Sequence, residues 1–199
     1  MKRALAGVLV AAIVGLSAGG AMADPQPFIQ VYFDDGSNGS FGEGQAMCGQ
    51  AGLPVYLYVV AKNLESWTAA VEYKVDIPAG IMYFGETFEP NPLGGGMVTY
   101  GNSQVGLTIS WSLPNSAFGS KGLLISTILG VWTADCYCQT GPQPIVVGPY
   151  PYPVPKTQPS FVQWPDLVEV SAVGMTSLLC PGAVSTTEST WGGIKALYR

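Results

Sequence analysis

Apolar and polar residues alternate with period two along much of the chain, which is the repeat of a half-buried β-strand. The longest run covers residues 67–77. Trp67, Ala69, Val71, Tyr73, Val75 and Ile77 share one side of it, and Thr68, Glu72, Lys74 and Asp76 the other. A second run covers 105–113, with Leu107, Ile109, Trp111 and Leu113 opposite Thr108, Ser110 and Ser112, and with Pro114 and Asn115 closing it. Both runs place a tryptophan, Trp67 or Trp111, in the core. Residues 54–61 set Val55, Leu57 and Val59 against Tyr56, Tyr58 and Val60, and residues 123–133 (LLISTILGVWT) are apolar on both sides. Strands of that kind belong inside a sheet. Residues 28–33 open the series, and 143–148, 160–164, 167–172 and 192–198 are shorter candidates.

Three segments interrupt the rhythm. Residues 34–50 are rich in Gly, Ser and Asp, and 86–96 (ETFEPNPLGGG) read as a turn-rich loop. Residues 149–159 (PYPYPVPKTQP) are expected to be extended and polyproline-like, because proline fixes φ and removes a backbone donor. Such a segment suits the covering of an exposed sheet edge. Beyond the first residues no stretch has a helical period. The expectation is an all-β chain folded as a single antiparallel β-sandwich.

The start of the chain is different. Lys2 and Arg3 precede an apolar run over 4–16, which ends in small residues and the motif Ala21-Met22-Ala23. This is the pattern of a signal peptide over 1–23, cut between Ala23 and Asp24 to leave a mature domain over 24–199. The run is shorter than the ~20 residues of a membrane span, and no cysteine follows it to take a lipid. The protein is therefore expected to be exported, to the periplasm or beyond the cell.

Charge and composition narrow the functions. Loss of Lys2 and Arg3 takes the formal charge from −5 to −7. So acidic a surface cannot neutralise phosphates, so no nucleic acid and no anionic membrane is expected as a partner. Only 11% of residues are charged against 48% hydrophobic, the balance of a packed domain. Histidine is absent from the sequence, which removes Ser-His-Asp and Cys-His triads and HExxH zinc sites together.

Cys48, Cys136, Cys138 and Cys180 are the only cysteines, an even number in an exported chain. Cys136 and Cys138 sit two apart on one strand face, so a bond from each to a distant partner, Cys48 or Cys180, is preferred to a cramped bridge between them. A four-thiolate zinc site needs two close pairs, and only one exists. Cys136-Tyr137-Cys138 lacks the helix N-terminus that activates a redox pair. Asp34, Asp35, Ser37, Asn38 and Ser40, with Glu43, supply oxygens of the kind calcium takes, but at spacings that read as a solvated turn. Glu86 with Glu89, or Asp135 with Asp166, are the carboxylate pairs a hydrolase would use, and both read as exposed loop residues. Tyr150 and Tyr152, two apart on the proline-rich segment, are the candidate ligand surface, either as an aromatic platform or, preferably, packed back onto the sheet. No catalytic, cofactor or metal residue is assigned.

Residues 55–78 (VYLYVVAKNLESWTAAVEYKVDIP) resemble the start of cohesin-like sandwiches and their carbohydrate-binding-module relatives. The elements Ala172-Val173-Gly174-Met175-Thr176-Ser177, Cys180-Pro181 and the tail over 190–198 resemble a group of exported bacterial proteins without an assigned role. The first resemblance implies a cohesin-like or immunoglobulin-like sandwich; cohesins bind dockerins and the relatives bind polysaccharide. The expected function is a non-catalytic structural or adhesion module of the envelope or extracellular space. The alternative is a polysaccharide- or protein-binding module, and a secreted hydrolase is the remoter one.

Overall fold

A computed structural model describes residues 26–33, 50–64, 66–91, 93–115, 122–133, 143–152 and 156–179. The leader, the acidic run over 34–43, Asp135, all four cysteines and the strand expected over 192–198 lie outside the described residues.

The described chain forms β1 (Phe28–Tyr32), β2 (Pro54–Lys62), β3 (Thr68–Asp76), β4 (Ile81–Phe88), β5 (Met97–Asn102) and β6 (Gly106–Asn115). It continues with β7 (Leu123–Trp132), β8 (Gln143–Gly148), β9 (Ser160–Gln163), β10 (Val168–Ser171), β11 (Val173–Gly174) and β12 (Thr176–Leu179). A five-stranded sheet runs β11-β1-β2-β7-β4, so the two strands that are apolar on both faces, β2 and β7, take inner places. The second sheet runs β10-β9-β3-β6-β5, with β8 also pairing β3 and β12 pairing β8. Every pairing is antiparallel except β1 with β11.

The sheets close on each other through the faces the alternation predicts. Val71, Tyr73, Val75, Leu107 and Ile109 of the larger sheet meet Leu57, Val59, Ile125 and Ile128 of the smaller one in a single core. Each such side chain contributes roughly 1.5–3 kcal/mol by leaving water. After β10 the chain crosses to pair β11 with β1, then returns to pair β12 with β8. Gly174 makes the crossing possible, since a Cβ there would lie 2.0 Å from the Val147 carbonyl oxygen.

β8 and β9 occupy successive halves of one edge of β3. Gly148 pairs with Lys74, and Ser160 pairs with Glu72. The proline-rich segment is thus an excursion from what is otherwise one strand position, where prolines could not have continued the ladder. At its start Tyr150 and Pro151 pack on Gly106, where a Cβ would meet their ring carbons at 3.0 and 2.7 Å.

Two expectations are corrected. Thr68 pairs with Asn115 and Gln163 but Ala70 with Ser110 and Val162, so Ala69 is an extra residue of β3 against β9, and residues 111–114 of β6 bulge opposite it. That shift turns Thr68 inward and Trp67 outward, at 37% exposure, while Trp111 stays buried at 6%. Leu113, inside the bulge, is exposed for the same reason, and β6 runs on through Pro114. Glu86, Thr87 and Phe88 belong to β4 and not to a loop. Strands β4, β5, β11 and β12 were not anticipated. In β4 the four residues Ile81 to Phe84 are all apolar, and a register shift between Tyr83 and Gly85 breaks the alternation.

Candidate functional site

Tyr150 is buried at 6% exposure and Tyr152 is 64% exposed. Their ring centroids are 6.4 Å apart with the planes at 76°, an edge-on contact. A coplanar two-ring platform is therefore absent; Tyr150 anchors the excursion and Tyr152 alone presents a ring face to water. Asp166 lies in the β9–β10 turn and Glu89 is exposed just after β4. Among the described residues no three His, Cys, Asp or Glu side chains gather in a way that would hold a metal.

Glu86 has a different task. One carboxylate oxygen accepts the Ser103 backbone N–H at 2.9 Å, and the other accepts the Ser103 hydroxyl. Ser103 also sits 3.3 Å from the Tyr73 hydroxyl, which is 2.9 Å from Ser126 Oγ. Tyr73, Ser103 and Ser126 are all fully buried. Burial first, and then the charge of Glu86, push the Tyr73 phenol far above its ordinary range. The same two causes push Tyr83 up to about 12. This chain of polar groups spans both sheets and pins the β5–β6 turn to β4. Glu86 is thereby committed to structure and is not one of a pair across a cleft.

The two outer faces of the sandwich differ. On the smaller sheet, Tyr32 and Val60 alternate with core residues and so point outward, yet they are 2% and 0% exposed. That part of the face is shielded, whereas Tyr56, Met82 and Phe84 of β2 and β4 stand exposed elsewhere on the same sheet. On the larger sheet, cross-strand register lines up Val98, Ser110, Ala70, Val162 and Glu169 in one row. The next row is Tyr100, Thr108, Glu72, Ser160 and Ser171. Apart from Glu72 and Val162 the middle of this face is small or hydroxylated, and its β5 border carries Val98 and Tyr100 at 71% and 73% exposure. Trp67 and Trp164 extend it at the β3–β9 end, joined by a 2.8 Å bond from the Trp164 N–H to the Trp67 carbonyl.

Lys156, returning from the excursion, closes over the same face. Its ammonium binds Glu72 and Glu169 and lies 3.0 Å from Ser160 Oγ. Burial opposes the ammonium charge, but the bonds and charges of Glu169 and Glu72 outweigh it and the Lys156 pKa is raised. Hydrogen bonds from Lys156 and Ser160 lower that of Glu169. An open pocket of about 450 Å³ lies here, lined by Lys156, Thr157, Gln158, Ser160, Glu169 and Ser171. The alternation in β3 had placed Glu72 outward, but the meeting of Lys156 with two acids comes only from the β8–β9 break.

No family model matches the chain and no curated protein does. Solved structures are similar to it. The sixth cohesin of scaffoldin B from Acetivibrio cellulolyticus, in complex with a dockerin, has a TM-score of 0.50 at 11% identity, covering 78% of this chain and 98% of that one. A cohesin module of a family 33 glycoside hydrolase from Clostridium perfringens has a TM-score of 0.49 at 10% identity, covering 77% and 95%. A type II cohesin domain from the Acetivibrio cellulolyticus cellulosome has 0.48 at 10% identity, covering 78% and 96%. Among the described residues no helix is long and apolar enough to cross a membrane. At 11% identity the likeness to the first of these is one of architecture alone, that of a cohesin-like β-sandwich.

Proposed function

We propose that the chain is an exported, non-catalytic module that binds a protein partner on the outer face of β10-β9-β3-β6-β5. The observation that carries this reading is the outer face of the larger sheet, whose cross-strand rows run from exposed Val98 and Tyr100 over mostly small or hydroxylated side chains. A flat patch with tyrosine at its rim, its charges gathered in the Lys156–Glu72–Glu169 cluster, suits protein recognition. One solved structure of similar architecture is a cohesin in complex with a dockerin, which favours protein binding over a purely structural or adhesive role. Glu86, spent on Ser103, speaks against carboxylate catalysis.

Site-specific photocrosslinking in the producing cell tests the proposal. A photoreactive residue at Ser110 is expected to trap a discrete protein adduct that Ala70→Arg abolishes, while the same probe at Thr127, on the smaller sheet, traps none. Equal adducts from both positions, or none from Ser110, would overturn it.

A further inference from the structure

We infer that strand β5 is a self-pairing edge, through which a second copy of this chain adds to the larger sheet. β5 ends the strand order of that sheet. Edge strands normally carry a charge, a proline or a bulge that blocks pairing. β5 (MVTYGN) has none of these, and its register with β6 is unbroken. Val98 and Tyr100 are 71% and 73% exposed, so none of the described residues covers that side of the strand.

The direction of its free groups follows from the ladder. Ser112 N–H donates to the Gly96 carbonyl at 2.9 Å, one step beyond the Met97–Trp111 pair. Hydrogen-bonded pairs alternate, so Val98 and Tyr100 exchange their bonds with Ser110 and Thr108. The N–H and C=O groups of Met97 and Thr99 therefore point away from the sheet.

A second copy meets these groups with itself. An antiparallel two-fold centred on Thr99 sets Thr99 against Thr99 as a hydrogen-bonded pair. It also sets Val98 of each copy against Tyr100 of the other, at the closer, non-hydrogen-bonded positions. Both are aromatic–β-branched pairs, among the favourable cross-strand combinations. Charge selects the same place. The chain carries 13 acidic residues, but residues 90–120 contain no Asp, Glu, Lys or Arg. Two acidic molecules can approach through this neutral hairpin without like charges facing each other. The edge borders the platform proposed above, since Val98 and Tyr100 head its two rows; Thr99 lies on neither row, so Thr99→Pro tests the edge by itself.

Sedimentation equilibrium of the mature protein, from low micromolar to submillimolar, reads the association directly. A monomer–dimer equilibrium is expected. Thr99→Pro removes an N–H that the monomer does not use, and should weaken the dimer by about tenfold or more with an unchanged circular dichroism spectrum. Val98→Lys or Tyr100→Glu alone should weaken it similarly. The double variant places each introduced lysine opposite an introduced glutamate of the second copy and should restore association. A monomer at every concentration, a dimer indifferent to Thr99→Pro, or a double variant no better than the singles would each overturn the inference. Loss of the Ser110 adduct with dimerisation intact would count only against the proposed partner face.

Discussion

Replacing Tyr73 by Phe removes one oxygen from the middle of the buried polar chain and leaves its ring packing alone. The hydroxyl is 2.9 Å from Ser126 Oγ in a site closed to water. Ser103 keeps Glu86 after the change, but Ser126 loses its Tyr73 partner in the core. A net hydrogen bond is worth about 1 kcal/mol, and an orphaned buried hydroxyl costs about 1–3 kcal/mol. Tyr73→Phe should therefore destabilise by about 2 kcal/mol, a sizeable part of a typical 5–15 kcal/mol. Ser126→Ala should cost about 1 kcal/mol, because Tyr73 retains its longer contact with Ser103. The double variant leaves no orphan across this pair. Its cost should fall short of the sum by about 1 kcal/mol, measured by urea unfolding at neutral pH. Alkaline unfolding gives a second reading. The folded state holds the phenol neutral well above pH 10, whereas in the unfolded chain it ionises near 10. Its stabilisation is complete below pH 10 and is lost as pH rises, because the unfolded state then binds fewer protons. Tyr83 adds a smaller loss between 10 and about 12. Wild type should thus lose stability more steeply above pH 10 than Tyr73→Phe does. Additive single effects with parallel alkaline limbs would refute the buried coupling.

Three other outcomes are expected. Trp111→Ala should cost about 3–5 kcal/mol and Trp67→Ala less than about 1 kcal/mol by the same unfolding assay, because the bulge opposite Ala69 separates their environments. Gly174→Ala should destabilise by about 1–3 kcal/mol, since its methyl group would have to displace the Val147 carbonyl. Intact mass of protein recovered outside the cytoplasm should begin at Asp24. Non-reducing peptide mapping of the same sample should show Cys48 and Cys180 each bonded to one of Cys136 and Cys138.

Much of the fold could be read from local pattern. Val71, Tyr73 and Val75 alternate with Glu72 and Lys74, and a period of two has only one arrangement that hides the first set and wets the second. The two-sided apolar runs of β2 and β7 likewise required inner places. These were legible because each depends on a strand's own side chains and the cost of leaving them in water. What the sequence alone left hidden depends on pairing between distant segments. The inversion of Trp67 and Thr68 arises at Ala69, where β3 slips register against both β6 and β9, partners some forty and ninety positions away. Likewise, only the shared edge of β3 makes β8 and β9 one interrupted strand, and that break brings Lys156 to Glu72 and Glu169. Glu86 read as a loop acid until the packing of β4 beside the β5–β6 turn gave it Ser103. Alternation assigns a residue to a face; register decides which residues share that face, and register is set by contacts a single strand does not contain.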